Sequence, residues 1–385
     1  MIPYGKHDIS KEDIDAVIHV LKSDFITQGP TVEKFERVVS EFCKANYGIA
    51  TNSATSALHI ACLSIGLGKG DYLWTSTITF VASANCGLYC NANIDFVDID
   101  PKTYNISSKA LEEKLIQARQ DNKLPKVVIP VHFAGQPCEM KKIYQLSQEY
   151  GFKIIEDASH SIGGEYKGQP VGNCKYSDIT IFSFHPVKII TTGEGGMALT
   201  NSATLAKKML LLRSHGVTRD QELIANENEG PWFYQQIELG YNYRMTDIQA
   251  ALGISQMKRL NEFINNRHKI KQRYDKKLSN MPVVIPYQSE NSYSALHLYP
   301  IQIRCNSLKK THEQIFKEMR ENNIGVNLHY IPVHTQPYYQ NMGFKKGDYP
   351  NAEHYYSRAM SLPIFNTMTT MQQDEVIAVL AKVLE

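Results

Sequence analysis

Two side chains in the middle of the sequence are of types that act together in one kind of chemistry. Asp157 ends the apolar run of GFKIIEDASHS, which predicts a buried strand that delivers an acid into a loop. Lys188 lies among apolar residues in TIFSFHPVKIITTGEGG, and desolvation of an amine lowers its pKa and makes it a usable nucleophile. Taken singly, Asp157 is as consistent with a helix cap as with all functional roles together, which include a metal ligand, a contact to a ribose and a partner for a pyridine nitrogen. Lys188 is also consistent with a side chain that extends to the surface.

Together, these two residues offer what a pyridoxal-phosphate (PLP) enzyme needs. A carboxylate keeps the pyridine nitrogen protonated, and an amine binds the aldehyde. A phosphate site should lie nearby, and the small hydroxylic residues Asn52 to Thr55 open a predicted helix whose N-terminal amides would face an anion. Because Ser and Thr are also ordinary N-caps, this motif indicates a phosphate site only in combination with Asp157 and Lys188. Ser183 offers a further hydroxyl.

Composition disfavours several other classes of function. The 385 residues are 43% hydrophobic, enough for a large core, and the 41 basic and 39 acidic residues are interspersed. A surface of that kind disfavours binding to nucleic acid or to a membrane. The seven cysteines form no CxxC pair, and neither a signal peptide nor a transmembrane run is found. We therefore expect a soluble, cytoplasmic protein.

Short β-rich runs alternate with helical stretches through the first half of the chain. A helix is predicted from Ser10 to Leu21, and Ser10 would be its N-cap. One face of this helix carries the apolar residues Ile14, Val17, Ile18 and Leu21. Strands are predicted in YGIATNS, DYLWTS, IDFVDID, KVVIPVH and FKIIEDAS. This alternation predicts an α/β fold around a mainly parallel sheet.

The second half of the chain predicts two more strands of this sheet and then a smaller unit. SDITIFSF and GGMALTN are the strand candidates, followed by a helix from Ser202 to Ser214 and by a polar surface excursion in DQELIANENEGPW. A long amphipathic helix is predicted from Thr246 to Leu278, and LHLYPIQIR and GVNLHYIPVH are predicted strands. We place a domain boundary near residue 250, which gives a large domain of residues 1–250, including the N-terminal segment, and a small α+β domain of residues 251–385.

Eight motifs in order give the chain a resemblance to a known family. They are TQGPTVEKFE, NSATSALH, TITFVASAN, EDASHSIGG, FSFHPVKIITTGEGG, LRSHGVTRD, GYNYRMTDIQAALG and NLHYIPVH. With these motifs the whole chain resembles the DegT/DnrJ/StrS family of sugar aminotransferases, which are PLP enzymes of fold type I, the aspartate aminotransferase-like fold. The resemblance therefore implies PLP as the cofactor and a homodimer with shared active sites.

The resemblance also implies a role for each residue of the cofactor site. Lys188 would bind the aldehyde as a Schiff base, and Asp157 would hold the pyridine nitrogen. The other cofactor contacts would be the ring neighbours Phe80 and His160, the phosphate ligands Ala54, Thr55 and Ser183, and Asn242 from the second subunit. From the residues alone, a core position is the favoured interpretation of Phe80. His160 is equally consistent with a turn cap, and Asn242 is consistent with a left-handed loop residue.

The reaction can be narrowed within the family. The dehydratase branch has histidine in place of the Schiff-base lysine, so Lys188 favours ordinary transamination with ping-pong kinetics. L-Glutamate is the usual donor in the family. Arg244 is a candidate anchor for the donor carboxylate, with Arg213 and Arg219 as alternatives.

The nearest resemblance within the family is to enzymes of pseudaminic-acid biosynthesis, which aminate C4 of UDP-2-acetamido-2,6-dideoxy-β-L-arabino-hex-4-ulose. This resemblance is strongest in three runs, FHPVKIITTGEGGMALTN, RSHGVTRD and IELGYNYRMTDIQAALG. The resemblance places these residues along the substrate channel: Tyr4, Asp24, Phe25, Ile26, Thr27, His185, Asn327, Leu328, His329 and Tyr330. Tyr4 is also consistent with a terminal anchor, and Tyr338 and Tyr339 favour packing in the small domain.

Competing hypotheses stay open at this point. One is a C4 aminotransferase for another nucleotide-linked sugar, such as a dTDP- or GDP-linked 4-keto-6-deoxyhexose. Another, of a different class, is a non-catalytic regulatory paralogue, against which the intact Asp157 and Lys188 argue. We expect no metal site, because His329 and His334 have no acid or cysteine at ligand spacing beside them. No GxGxxG or GxxxxGK[ST] loop occurs.

Overall fold

The computed structural model describes residues 1–224, 229–305 and 308–385. Its helices are α1 (Lys11–Leu21), α2 (Pro30–Cys43), α3 (Ala54–Ser64), α4 (Ala82–Tyr89), α5 (Ser108–Gln120), α6 (Met140–Tyr150), α7 (Ala203–Arg213), α8 (Asp247–Met257), α9 (Leu260–Leu278), α10 (His312–Glu321), α11 (Pro337–Gln340), α12 (Pro350–Tyr356) and α13 (Thr370–Val383). Its strands are β1 (Ile2–Pro3), β2 (Tyr47–Thr51), β3 (Tyr72–Ser76), β4 (Asn93–Val97), β5 (Val127–Ile129), β6 (Lys153–Asp157), β7 (Glu165–Tyr166), β8 (Gln169–Pro170), β9 (Ile179–Ser183), β10 (Gly196–Thr200), β11 (Val217–Thr218), β12 (Gln235–Gln236), β13 (Val283–Val284), β14 (Ser292–Tyr293), β15 (Tyr299–Ile303), β16 (Ile324–Gly325) and β17 (Ala359–Leu362).

A seven-stranded sheet in the order β2-β10-β9-β6-β5-β3-β4 forms the centre of the molecule. Neighbouring strands from β9 to β4 pair in parallel, whereas β10 is antiparallel to both β2 and β9. Every residue of β9 and β10 is buried, as expected when helices cover both faces of a sheet. The predicted α/β class with a mainly parallel sheet is confirmed.

Helix α1 begins where the sequence predicts, but its apolar stripe does not enter the core. Ser10 is the N-cap and forms a capping box with Asp13. Ile14 and Leu21 are nevertheless 51% and 55% exposed, and Ile18 is also exposed. The buried residues of the helix include Asp13, which accepts hydrogen bonds from the side chains of Gln256 and Arg259. The helix thus packs through the face that carries Asp13 and Val20 and leaves Ile14, Ile18 and Leu21 at the surface of the single chain.

The single helix predicted from Thr246 to Leu278 is wrong, because the structure has two helices, α8 and α9, with a break between them. Arg259 has non-helical backbone angles, and the amides of Lys258 and Arg259 bond to carbonyls three residues back. The Arg259 guanidinium donates to the backbone oxygen of Asp8 and to the Asp13 carboxylate. The sequence did not predict this break because the apolar periodicity continues across it, and because the polar partners of Arg259 are distant in the sequence.

A second layer of strands lies in the C-terminal part of the chain. Strands β13, β15 and β17 form an antiparallel sheet, and β1 pairs in parallel with β16. Ile2 therefore packs in the same hydrophobic cluster as Ile301 and Met319. The domain boundary near residue 250 stays a prediction.

The strand predicted in GVNLHYIPVH is mostly wrong. The strand Ile324–Gly325 ends at the first residue of this run, Asn327 forms an isolated bridge with Ser361, and a 3₁₀ turn follows at Val333–Thr335. Asn327 to Tyr330, in the irregular segment between them, line the cavity described below. Of the predicted polar excursion DQELIANENEGPW, residues 225–228 lie outside the described residues. No helix in the described part of the chain is long and apolar enough to cross a membrane.

Candidate active site

Several chemically active side chains lie where strands of the central sheet end. Asp157 is the last residue of β6, and Ser183 is the last residue of β9. Helix α3 begins three residues after the end of β2, and Thr79 and Phe80 follow β3. Because parallel strands end at one edge of a sheet, these short segments bring distant parts of the sequence to the same place.

These residues surround a cavity of about 480 Å³. Its lining includes most of the residues that the sequence assigned to a site. They are Tyr4, Ala54, Thr55, Phe80, Asp157, His160, Ser183, His185, Lys188, Asn327, Leu328, His329 and Tyr330. The volume and the mixture of apolar walls with a few polar groups are typical of a site for a small organic molecule.

Lys188 lies in the cavity wall, in the loop that joins β9 to β10. Burial lowers the pKa of its amine from 10.5 to about 8, although the charge of Asp157 acts in the opposite direction. At neutral pH the neutral amine is therefore much more abundant than for an exposed lysine. An amine of this kind can attack an aldehyde and can also accept a proton.

The Asp157 carboxylate is buried and held by two hydrogen bonds. The hydroxyl of Ser83 donates to its Oδ2 at 2.6 Å, and the amide of Ser159 donates to its Oδ1 at 3.1 Å. Ser83 is itself 2.8 Å from the hydroxyl of Thr79. The carboxylate is thus fixed in position at the cavity and still has capacity to accept a further donor from a ligand.

The N-terminus of α3 provides a place for an anion. Ser53 caps this helix by accepting a hydrogen bond from the Ser56 amide, and Ser53, Ala54 and Thr55 all line the cavity. The amides of the first turn have no partners within the helix, so they favour a bound phosphate. Gly196 packs so closely here that a Cβ would lie 2.5 Å from the Ala54 nitrogen. A larger residue at Gly196 would displace the start of α3.

His160 has a defined tautomer. The backbone amide of Ala134 donates to its Nδ1 at 3.3 Å, and its Nε2 lies 3.2 Å from the Tyr330 hydroxyl. Burial first, and then the charge of Lys188, hold the pKa of His160 well below its usual range. A neutral ring whose Nδ1 accepts must carry its proton on Nε2. His160 therefore donates to Tyr330, and the phenol proton remains available to a ligand.

Two further histidines keep this region uncharged. His297 packs on His160 with ring centroids 4.4 Å apart, and burial lowers its pKa well below the usual range. His329 bonds to the hydroxyl of Ser361 at 2.9 Å, and burial lowers its pKa to about 3. Lys188 and Asp157 thus line a cavity whose imidazoles are neutral at physiological pH.

Phe80 is 60% exposed, although it lines the cavity. From the residues alone a core position was favoured for this aromatic, whereas the structure places it in the cavity lining. An apolar ring exposed inside a cavity can stack on a planar ligand. The exposed ring, the carboxylate of Asp157, the amine of Lys188 and the start of α3 together fit a planar aldehyde phosphate with a ring nitrogen.

Five residues assigned to the site are absent from the cavity lining given by the described part of this chain. They are Asp24, Phe25, Ile26, Thr27 and Asn242. Asn242 is exposed, and its backbone oxygen accepts a hydrogen bond from the Asn52 side chain just before α3. The segment at Asp24 continues the exposed apolar face of α1, and Ile26 pairs through its carbonyl with the amide of Asp247.

The structure adds residues that the sequence did not indicate. Thr79, Glu194 and His297 line the cavity, and Ser83 holds Asp157. Ser83 lies within the motif TITFVASAN, so the motif located its segment but not its role. His297 had no local signal, because it reaches the cavity only through the packing of its loop against His160. Among the described residues, no cluster of ligands suits a metal ion.

Comparisons with known proteins agree with this geometry. The model of the DegT/DnrJ/EryC1/StrS aminotransferase family matches residues 7–381. An uncharacterized protein of Methanocaldococcus jannaschii is 40% identical over 98% of this chain and 95% of its own length. The spore coat polysaccharide biosynthesis protein SpsC of Bacillus subtilis is 37% identical with the same coverage. The UDP-4-amino-4,6-dideoxy-N-acetyl-β-L-altrosamine transaminase of Campylobacter jejuni is 35% identical over all of this chain and 98% of its own.

Solved structures give the same result for the fold. Helicobacter pylori PseC, an aminotransferase involved in the biosynthesis of pseudoaminic acid, superposes with a TM-score of 0.90 at 29% identity, covering 100% of this chain and 99% of its own. The PLP form of a candidate sugar aminotransferase of Streptococcus pneumoniae superposes with a TM-score of 0.88 at 28% identity, covering 99% and 98%. These findings confirm fold type I and PLP as the cofactor.

We expect Lys188 to be the lysine that binds PLP, with a pH dependence set by burial. Because only the neutral amine reacts, the rate of PLP uptake by apoenzyme should rise with pH and level off above about pH 8. Borohydride reduction and peptide mapping should then find the pyridoxyl label on Lys188. Lys188→Ala should lose the label, and Lys175→Ala, at an exposed lysine, should keep it. A label on another lysine, or a rate that still rises beyond pH 10, would contradict this assignment.

Proposed function

The chain belongs to the DegT/DnrJ/EryC1/StrS aminotransferase family, and from this membership we propose that it transfers an amino group from L-glutamate to C4 of UDP-2-acetamido-2,6-dideoxy-β-L-arabino-hex-4-ulose. The product would be UDP-4-amino-4,6-dideoxy-N-acetyl-β-L-altrosamine. It is a PLP-dependent sugar aminotransferase. The observation that carries the choice of sugar is the full-length similarity to the transaminase of Campylobacter jejuni.

The cavity residues fit the cofactor as follows. When bound, PLP supplies an electron sink that stabilises negative charge on the carbon atom next to the nitrogen being transferred. Lys188 would hold the aldehyde, and the Asp157 carboxylate would keep the ring nitrogen protonated. Phe80 would lie against the ring. The phosphate would be held by the start of α3, at Ala54 and Thr55, and by the hydroxyl of Ser183.

Lys188 also moves the proton that transamination requires. As a free amine, Lys188 has a pKa that burial lowers to about 8. It would accept the proton from Cα of glutamate, and in the second half-reaction it would donate a proton to C4 of the sugar. A pKa near 8 suits both tasks, because the group must lose and regain a proton within one catalytic cycle.

The sugar would enter past the irregular segment Asn327 to Tyr330. Tyr4, His185 and this segment line the cavity, so their polar groups would contact the substrate. The Tyr330 hydroxyl, whose oxygen accepts from His160, would donate to an oxygen of the ligand. His185 lies 3.9 Å from the carboxylate of Glu194. This pair would offer a donor and an acceptor to the sugar hydroxyls.

We propose that two subunits form a dimer in which each active site contains residues of both subunits. The exposed face of α1 continues into Phe25 and Ile26, which are themselves more than half exposed, and a contiguous apolar surface of this kind marks an interface. A second subunit against this face would bury it and would bring the segment Asp24–Thr27 toward the partner's substrate. The exposed Asn242 would reach the partner's phosphate site. Unpaired thiols at all seven cysteines fit a cytoplasmic location.

The proposed substrate can be tested against its alternatives. Purified enzyme and glutamate would be incubated with the UDP-linked sugar, with a dTDP-linked and with a GDP-linked 4-keto-6-deoxyhexose. We expect kcat/KM for the UDP sugar to exceed the other two by about tenfold or more, since buried polar groups in a specific site discriminate strongly. Mass and C4 stereochemistry identify the product, and Lys188→Ala is the blank. Preference for either other sugar would refute the substrate and leave the family activity intact.

Asp157→Asn should lower turnover far more than cofactor content. Without the carboxylate, the ring nitrogen loses its proton and the electron sink weakens, whereas the phosphate contacts and Lys188 remain. We expect a loss in kcat on the order of 10²-fold or more. The matched control is Glu156→Gln, a buried carboxylate one residue earlier that bonds to His132 and Ser177 instead. Normal turnover in folded Asp157→Asn would remove Asp157 from the site.

Mixed dimers test whether Asn242 crosses to the partner. Lys188→Ala and Asn242→Asp should each be nearly inactive, the second because it sets a negative charge against the phosphate. If Asn242 crosses, a hybrid has both lesions in one site and an intact second site. Random reassortment should then restore about a quarter of wild-type activity.

A second mixture controls for the first. Lys188 and Asp157 lie in one cavity of one chain, so hybrids of Lys188→Ala with Asp157→Asn have one lesion in each site and should stay inactive. Verified hybrids of Lys188→Ala with Asn242→Asp that also stay inactive would mean that each subunit completes its own phosphate site.

A further inference from the structure

Arg267 is a fully buried cation in the middle of α9. Its Nη1 donates to three backbone oxygens, those of Leu296 at 3.1 Å, His297 at 3.2 Å and Ile364 at 3.1 Å. No carboxylate among the described residues forms an ion pair with it, and burial lowers the pKa of its guanidinium to about 10. Because a buried cation is costly unless its partners compensate, these carbonyls must remain in place around it.

The two segments that Arg267 holds both belong to the surroundings of the cavity. His297 itself lines the cavity. The amide of Ile364 donates to the backbone oxygen of Tyr4 at 3.0 Å, and Tyr4 is another residue of the cavity lining. One guanidinium on α9 therefore connects two parts of the site that are distant in the sequence.

Residues 295–298, which we call the His297 loop, pack against the 3₁₀ turn that contains Ala134. The amide of Leu298 donates to the backbone oxygen of Ala134 at 3.3 Å. The loop and the turn approach each other so closely that a Cβ at Gly135 would lie 2.7 Å from the Leu296 nitrogen. The position of this turn therefore depends on the position of the His297 loop.

The loop and the turn each contain a residue with a left-handed backbone. The φ angle is 52° at Leu296 and 58° at Ala134. This conformation is unfavourable for a residue with a Cβ, and it persists where the surrounding structure holds it, often at an active site. At Leu296 the hydrogen bond from Arg267 to the backbone oxygen supplies such a restraint.

Both the His297 loop and the turn contact the ring of His160. The ring of His297 packs on it with centroids 4.4 Å apart, and the amide of Ala134 donates to its Nδ1. The Nε2 of His160 lies 3.2 Å from the Tyr330 hydroxyl, which is in the cavity lining. The orientation of His160, and with it that of the Tyr330 proton, therefore depends on contacts that Arg267 restrains.

We propose that Arg267 is a positioning residue of the active site, which holds the His297 loop so that this loop and Ala134 keep the ring of His160 in place. Arg267 is not among the described residues that line the cavity, so it acts through other groups. The competing interpretation is that Arg267 only joins α9 to the rest of the fold. The inference rests on the proposed function in one respect, because its kinetic test uses glutamate as the amino donor.

The first test measures amide hydrogen exchange in the apoenzyme. Arg267→Met keeps a long apolar side chain and removes the three hydrogen bonds. We expect exchange to become faster by about tenfold or more at the amides of the His297 loop and of Ala134, because these amides lose their restraint. Exchange in the strands of the central sheet should stay unchanged. This readout needs neither cofactor nor substrate.

Tyr274→Phe is the matched control. Tyr274 is buried on the same helix, and its hydroxyl donates to the backbone oxygen of Pro363 at 3.0 Å, next to Ile364. The variant therefore loses a buried hydrogen bond from α9 to the segment at Ile364 and leaves the contacts of the His297 loop intact. It should not change exchange in the His297 loop or at Ala134.

The second test follows the first half-reaction of the holoenzyme by cofactor absorbance, with glutamate alone. In Arg267→Met the limiting rate per bound cofactor should fall by about tenfold. The glutamate concentration that gives half the limiting rate should change by less than about twofold, because a misplaced His160 affects the reaction rather than donor binding. Tyr274→Phe should keep both values. Since no sugar is used, failure here is distinct from failure of the proposed substrate.

Two further variants test the path from Arg267 to the site. Arg267→Lys should restore the limiting rate to within about threefold of wild type, because an ammonium also offers three N–H donors to carbonyls that converge on one nitrogen. His297→Ala removes the ring but leaves the carbonyl that Arg267 binds, so it should lower the limiting rate even if Arg267→Met does not fold. A normal limiting rate in Arg267→Met or His297→Ala would overturn the proposal. Faster exchange spread evenly over the chain of Arg267→Met would also overturn it, since that result would mean a general loss of stability.

Discussion

The burial of one amine and one carboxylate in the same cavity is the constraint on which the rest of the structure depends. Removing Lys188 and Asp157 from water is costly unless partners or a shifted pKa compensate. The protein does both, since burial lowers the pKa of Lys188 and Ser83 and Ser159 bond to Asp157. A folded arrangement that keeps these two groups facing a cavity must therefore be supported from several elements.

The central sheet supplies that support because its strand ends converge. Asp157 is fixed by β6, Ser183 by β9, and the start of α3 follows β2. Strand β10 runs against its neighbours, which brings Gly196 under the start of α3, where only a glycine fits. The site thus depends on strand order as much as on the identity of its residues, and single substitutions at Gly196 act on the site through backbone position.

Sequence patterns located the parts of the site that depend on local structure. Asp157 was predicted because it ends an apolar strand, and the start of α3 because of its hydroxylic cap. The role of Ser83 and the position of His297 depend on contacts between distant segments, for which a single sequence carries no signal. The apolar stripe of α1 shows the opposite case, because periodicity correctly indicated a helix with an apolar face but not that this face is exposed in one chain.

The neutral histidines complete the electrostatic argument. A cation beside Lys188 would lower the pKa of its amine further, and an additional carboxylate would raise it toward the value of an exposed lysine. His160, His297 and His329 have depressed pKa values through burial, so they contribute polar contacts without charge. Two effects then determine the pKa of Lys188: burial lowers it, and the charge of Asp157 raises it. The tautomer of His160 follows from the same neutrality and directs the proton of Tyr330 toward the ligand rather than toward the protein.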